Sequence, residues 1–179
     1  MKKKYFCPLL FFLVLTGISA KDYYYYNGNQ KIPLVMEDKL YIKFNTPTAK
    51  PVLKKTYNDT LIYKQGTVEI HKQAVNTSIN GGEFPQSSSP VFRDASGHFY
   101  GLPGNVLIFF PEGTGEKEAL KLLKEKQYTV IRKLPLRSRL VFVLESPPGI
   151  PSLELADKLQ EERNPFQALP NWWISRNIR

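Results

Sequence analysis

The sequence is poor in the side chains that most often build catalytic and metal sites. It contains one cysteine, Cys7, and two histidines, His71 and His98, among 179 residues. A single cysteine excludes an internal disulfide, and neither histidine has a second His or Cys at the spacing of a zinc site. No G-x-S-x-G sequence is present, which excludes the strand–turn–helix nucleophile of α/β-hydrolases. We therefore expect no metal, no cofactor and no enzyme active site.

The first twenty residues carry the longest apolar run of the chain. Three lysines at positions 2–4 precede the apolar segment 9–15, and the small-residue sequence ISA ends at Ala20. This arrangement is typical of a secretory signal peptide, so we predict that residues 1–20 are one. The predicted location is secreted, periplasmic or in the cell envelope. A retained membrane anchor is the alternative, but the short run and Pro8 disfavour stable insertion after cleavage.

Basic residues outnumber acidic ones, 25 to 16, for a formal net charge of +9. Removal of the three lysines of the signal peptide lowers that charge to +6. The remaining charges are scattered, without the basic stripe interleaved with aromatic residues that is typical of nucleic-acid-binding proteins. We expect a solvated surface and no nucleic-acid partner.

Residues 21–100 are rich in tyrosine, threonine, asparagine and turn sequences, and predict a mostly-β N-terminal module. Asn27-Gly28 follows the run YYYY and predicts a hairpin turn; further turns are expected at Gln65-Gly66 and Ser96-Gly97. The tyrosine run fits either a strand with two rings on each side or a ladder that binds sugar or peptide. KLYIKFNTPT in this module aligns without gaps to NVLIFFPEGT further on, which hints at a degenerate repeat.

Residues 101–179 predict a second domain with a regular order of elements. A strand in NVLIFFPEGT precedes a helix over GEKEALKLLKEKQ with Thr114 as its N-cap; strands follow in YTVIRKLPL and RLVFVLES. Ser152 is the expected cap of a helix over SLELADKLQEER, and FQALPNWWIS is the last strand. This order predicts an α+β class, a ferredoxin-like βαββαβ sandwich whose antiparallel sheet carries both helices on one face.

The strands of the second domain are apolar on both faces. In the first of them Leu107 and Phe109 oppose Ile108, and the neighbours Trp172 and Trp173 must face opposite sides of the last strand. One face can pack beneath the helices, whereas the other needs a cover. That cover is either a binding partner or the first half of the same chain.

The order of motifs over residues 103–177 is similar to that of a known family. A strand ending in PEGT, a helix before a Y-x-V strand, an apolar hairpin and a PSLELA helix precede a closing A-x-P-N-aromatic sequence, Ala168 to Trp172. This part of the chain resembles the propeptide domain of subtilisin-like serine proteases. The first half looks like the extra segment that precedes this domain in some bacterial secreted subtilases.

The resemblance implies a domain that packs its open sheet face on a protease and runs its C-terminal tail through the active-site cleft. Such domains act as intramolecular chaperones for folding and as inhibitors. The implied protease-binding residues are Trp172, Trp173, Ser175, Arg176, Asn177, Ile178 and Arg179. This chain carries none of the catalytic-domain motifs, so the implied partner is a subtilisin-like protease bound in cis or in trans. Arg176 departs from the apolar residue that family clefts favour.

Two other hypotheses belong to different functional classes. The first is an exported adhesion or scaffold module whose tyrosine-rich hairpins bind peptide or glycan. The second is a small-ligand enzyme on a ferredoxin-like fold, which is disfavoured because the sequence presents no cluster of titratable residues.

Overall fold

The computed structural model describes residues 22–45, 59–73, 88–94, 96–162 and 164–175. The predicted signal peptide and residues Arg176 to Arg179 of the predicted tail lie outside these ranges. Within them the chain forms eleven strands and two helices, and 47% of the residues are in strands. The elements are β1 (Tyr23–Asn27), β2 (Gln30–Phe44), β3 (Thr60–Gln65), β4 (Val68–Lys72), β5 (Ser88–Arg93), β6 (Phe99–Gly101), β7 (Val106–Phe109), α1 (Glu116–Glu125), β8 (Val130–Leu134), β9 (Val141–Leu144), α2 (Ile150–Glu161), β10 (Gln167–Pro170) and β11 (Trp173–Ile174).

The larger sheet has seven antiparallel strands and curls into a half-barrel. Its order is β11-β6-β5-β2-β4-β3, and β1 pairs with the first part of β2. The fifteen-residue strand β2 is long enough to pair with β1 near its start and with β4 near its end. Its pairing with β5 shifts register between Met36 and Tyr41, and such an irregularity bends a strand.

The predicted hairpins of the first half are confirmed. The β1–β2 turn lies at Gly28-Asn29 and the β3–β4 turn at Gly66-Thr67, each one residue later than predicted. Gly28 and Gly66 have φ values of 61° and 59°, a conformation that glycine adopts without steric cost. The β5–β6 turn contains Ser96 and Gly97, as predicted.

The smaller sheet has four antiparallel strands in the order β10-β7-β9-β8, and both helices pack on one of its faces. The core between helices and sheet joins residues from every one of these elements except the edge strand β8, whose Val130 packs against it from a partly buried position. Its buried members are Val106, Ile108, Phe110, Ala119, Leu123, Phe142, Leu144, Ala156, Leu159, Phe166 and Ala168.

The predicted fold class is wrong. The chain is mostly β, with a curled seven-stranded sheet and a second sheet, and not an α+β ferredoxin-like βαββαβ sandwich. The segment FQALPNWWIS does not form one strand, because β10 pairs with β7 whereas β11 pairs with β6 of the larger sheet. Helix α2 also contributes Leu153 to a core cluster shared with Tyr23 and Phe92. Strand pairing and core packing therefore connect the two halves.

Both predicted helices are present, but their predicted caps are wrong. The N-cap of α1 is Gly115 and not Thr114, and the N-cap of α2 is Gly149 and not Ser152. Ser152 lies inside the first turn of α2, where its hydroxyl donates to the Gly149 carbonyl at 2.9 Å. Gly149 has a φ of 80°, so the backbone turns sharply into a helix that already contains Pro151 in its first turn.

The chain passes between the two sheets twice, and the two crossings are hydrogen-bonded to each other. The Asn171 amide donates to the Asn105 carbonyl at 3.3 Å, and the Asn171 side chain donates to the Gly104 carbonyl at 3.4 Å. Gly104 has a φ of 99°, and a Cβ there would lie 2.8 Å from the Ser146 carbonyl oxygen. This crossing therefore requires glycine.

Candidate partner-binding surface

The face of the smaller sheet opposite the helices carries a compact apolar patch, which we call the open face. Strand register places Leu107 beside Val143 and Leu169, and Phe109 beside Val141. The two valines of the central strand β9 are buried, whereas the three other side chains are partly exposed. None of these five residues belongs to the three core clusters of the described chain.

Basic side chains border the open face. Arg132 on the edge strand β8 lies beside Val143, and the Arg139 guanidinium lies 5.8 Å from the centre of the Phe109 ring. Two apolar side chains at the same edge, Ile131 and Leu136, are 50% and 51% exposed. An apolar surface with a charged rim is the usual composition of a protein-binding site.

A cavity of about 560 Å³ opens at one end of the open face, and we call it the end cavity. It lies where β7 ends and β10 begins, beside the β1–β2 turn and the end of α2. Three phenylalanine rings and two prolines form its apolar lining, while its polar lining includes Asn29, Glu112, Arg139, Asn164 and Gln167.

Trp172, a predicted protease-binding residue, packs into the first half of the chain. Its ring centre lies 5.5 Å from that of Tyr25, 5.7 Å from that of Tyr100 and 6.2 Å from that of Phe92, each in an edge-to-face arrangement. Its Nε1 atom is buried without a hydrogen-bond partner in the described part of the chain. The first half of the chain therefore covers this indole.

Trp173 and Ser175 are also held by the larger sheet. Trp173 packs against a different core cluster from Trp172, with its ring 6.2 Å from that of Tyr63, so the two indoles diverge as strand alternation predicts. Ser175 is 8% exposed; its amide donates to the Phe99 carbonyl at 2.9 Å, and its hydroxyl accepts from the Phe99 amide at 3.0 Å. The sequence contains no local signal for these contacts.

The tyrosine run is a strand with two rings on each side. Tyr23 and Tyr25 pack against the cluster that holds Leu153, whereas the Tyr24 and Tyr26 hydroxyls donate to Glu161 at 3.0 and 3.1 Å. These contacts fasten the first hairpin to helix α2. The tyrosine side chains therefore contact other parts of the same chain and do not form an unoccupied ladder of rings.

The role of Glu161 was missed by sequence reasoning, because two adjacent glutamates at a helix end, Glu161 and Glu162, are typical of a solvated surface. Besides the two tyrosines, Glu161 accepts from the Lys31 ammonium at 3.4 Å, and that ammonium lies 4.1 Å from the centre of the Tyr24 ring. Hydrogen bonds from Tyr24, Tyr26 and Lys31 lower the pKa of Glu161. Lys31 and Glu161 are 130 residues apart in the sequence, so no local pattern predicts that their charges meet.

One turn before Glu161 on α2, Asp157 lies half-buried where this helix faces strand β1. Burial is the main cause that raises the pKa of this carboxyl from 3.8 to about 7, and the negative charges of Glu161 and Glu154 add to the effect. Lys31 opposes it. The carboxyl lines a cavity of about 430 Å³ together with Asp22, Tyr23, Tyr24, Lys158 and Glu162.

Replacing Asp157 by asparagine should stabilise the protein at pH 8 and leave its stability at pH 4.5 nearly unchanged. The folded state holds the Asp157 proton more tightly than the unfolded state, so this carboxyl stabilises the fold at low pH and loses that contribution between about pH 4 and pH 7. Partial exposure reduces the expected gain to about 1 kcal/mol from the roughly 4 kcal/mol of a fully buried group.

Urea unfolding at the two pH values measures this effect. Asp38→Asn removes a carboxylate at an exposed position on β2 and is the matched control with which the pH dependence of Asp157→Asn is compared. A pH-independent effect of Asp157→Asn would contradict the assignment.

The two histidines have structural partners. His71 stacks on Tyr41 at 5.5 Å between ring centres, and its Nε2 lies 3.2 Å from Glu69. His98 lies in the β5–β6 turn, where Asp94 accepts from the His98 amide at 3.2 Å and from the Ser96 amide at 2.9 Å. Each histidine is therefore engaged by neighbours that shape its own hairpin.

The described ranges contain no group of three or more His, Cys, Asp or Glu residues arranged to hold a metal ion. Neither described helix is long and apolar enough to cross a membrane. No family model matches the sequence, and searches of curated proteins and of solved structures found no similar protein.

Proposed function

We propose that this chain is the propeptide-type module of a secreted subtilisin-like serine protease, which it binds as a folding chaperone and inhibitor. The observation that carries the proposal is the open face. It combines partly exposed Leu107, Phe109 and Leu169 with a basic rim, on a sheet whose other face is already filled by helices. The motif order over residues 103–177 supplies the class of partner.

The packing of the first half of the chain supports a division of roles within this proposal. The two indoles and Ser175 are occupied by contacts with the larger sheet. Their role in the proposal is to anchor the C-terminal segment, while the open face makes the main contact with the protease. The residues that follow, Arg176, Asn177, Ile178 and Arg179, are the proposed cleft-binding tail.

The proposal predicts stoichiometric inhibition by the chain without residues 1–20. Titrated into secreted subtilisin-like proteases of the source organism, it should abolish hydrolysis of a chromogenic peptide at about one chain per enzyme molecule. Tight inhibition is expected because the sheet face and tail bind together, so that the second contact forms within the complex.

Trypsin is the matched control, since it has the same catalytic triad on an unrelated fold and lacks the surface that the open face would contact. The proposal is wrong if none of the subtilisin-like proteases is inhibited, or if trypsin is inhibited equally. An adhesion module would bind glycan or peptide without affecting either enzyme.

A further inference from the structure

The end cavity joins the open face to a polar recess. Phe109 belongs to both, because its ring lies on the open face and also lines the cavity. The neighbouring lining comes from the turn that follows β7, from the end of α2 and from the segment before β10. A protein that covers the open face would therefore cover the mouth of this cavity as well.

Arg139 supplies the positive charge of the end cavity. Its guanidinium lies over the Phe109 ring, and within the described ranges it makes no ion pair. At 5.8 Å the guanidinium is within reach of a cation–π attraction to the face of this ring, which leaves its N–H groups free to donate. Such a group binds a carboxylate through two parallel hydrogen bonds.

The amide side chains of the lining complement this arrangement. Gln167 and Asn29 provide further N–H donors near the cavity, whereas the Gln160 oxygen already accepts from the Ala168 amide at 3.0 Å. Glu112 is the one acidic side chain among the lining residues, and it forms no ion pair with Arg139. An entering carboxylate would meet the donors of Arg139 and the repulsion of Glu112.

We propose that the end cavity is an anchor pocket that receives an acidic side chain, glutamate or aspartate, from the surface of the protease partner. This inference rests on the proposed function and adds a requirement to it. The partner must present a carboxylate at the border of the apolar surface that contacts the open face. Arg139 is then the residue that selects among proteases of the same fold.

Affinity measurements with a catalytically inactive form of the inhibited protease test the pocket. Arg139→Ala should weaken binding about tenfold or more, because it leaves the partner's carboxylate without its charged donors. Arg139→Lys should have an affinity between that of the unmodified chain and that of Arg139→Ala, since it keeps the charge but loses the planar group that donates two parallel hydrogen bonds. Glu112→Gln should strengthen binding about twofold, because it removes repulsion.

Arg137 is the matched control, an exposed arginine two residues earlier that does not line the cavity. Arg137→Ala should change affinity less than twofold. Equal losses for the two arginine variants would overturn the pocket while leaving the proposed function intact. Failure of the unmodified chain to bind any subtilisin-like protease would instead remove the proposed function.

A second measurement examines the pocket without a protease. The α-amide of N-acetyl-glutamate, whose only carboxylate is that of the side chain, should shift the NMR signals of the Arg139 and Gln167 side chains when it is titrated into the isotope-labelled chain. The α-amide of N-acetyl-glutamine should not, nor should the glutamate compound with the Arg139→Ala variant. The absence of any shift with the glutamate compound, or equal shifts with both compounds, would contradict the inference.

Discussion

Replacing Trp172 by alanine should lower the free energy of unfolding by about 3 kcal/mol. The substitution empties a site surrounded by Tyr25, Phe92 and Tyr100, each within 6.2 Å of the indole centre. It also weakens the connection between the two sheets, because Trp172 lies between β10 and β11. Urea unfolding followed by circular dichroism measures the change.

Two controls separate packing from general disruption of the C-terminal segment. Ile174→Ala changes an exposed side chain of the adjacent strand β11 and should cost less than about 1 kcal/mol. Trp172→Phe should cost less than alanine, because it keeps a ring and removes an indole N–H that is buried without a partner in the described chain. A loss at Ile174 as large as at Trp172 would show that the indole is not the anchor.

Replacing Leu107 by glutamate should weaken protease binding about 100-fold or more, which corresponds to about 2.7 kcal/mol. Leu107 lies at the centre of the open face, between Val143 and Leu169, where a carboxylate would be desolvated by a partner. The side chain is only partly buried in the chain itself, so the fold should tolerate the change. Calorimetric titration with the inactive protease measures the affinity.

The matched control is a leucine-to-glutamate substitution on the helical side of the smaller sheet. Leu120 is 38% exposed on α1, and Leu120→Glu should leave the affinity within twofold of the unmodified chain. Comparable losses at Leu107 and Leu120 would place the binding surface elsewhere. Unfolding curves for both variants distinguish lost contact from lost folding.

Local structure was predictable wherever it depends on neighbouring residues. Glycine at a positive φ ended β1 and β3 close to the expected positions, and period-3.6 patterns identified both helices. The opposite orientation of Trp172 and Trp173 followed from strand alternation alone. The caps Thr114 and Ser152 were wrong: Gly149 precedes α2 with a φ of 80° that favours glycine over a hydroxyl side chain, whereas Gly115 caps α1 in an ordinary extended conformation.

Much of the candidate surface could also be predicted. The apolar alternation of Leu107 and Phe109 against Ile108 indicated a second sheet face that needs a cover. The end cavity could not be predicted, because its lining combines residues from as far apart as Asn29 and Gln167. The contacts of Glu161 with the first hairpin were hidden for the same reason.

The sequence by itself determined the turns, the helices and the apolar character of both faces of β7 and β9, since each depends on spacing within a few residues. Only the tertiary structure decided the fold class and the position of the C-terminal segment. Strand β11 pairs with β6 across more than 70 residues, and Trp172 and Trp173 pack against clusters whose members come mainly from the first half of the chain. Because these contacts join residues that are far apart in the sequence, no local pattern predicts them.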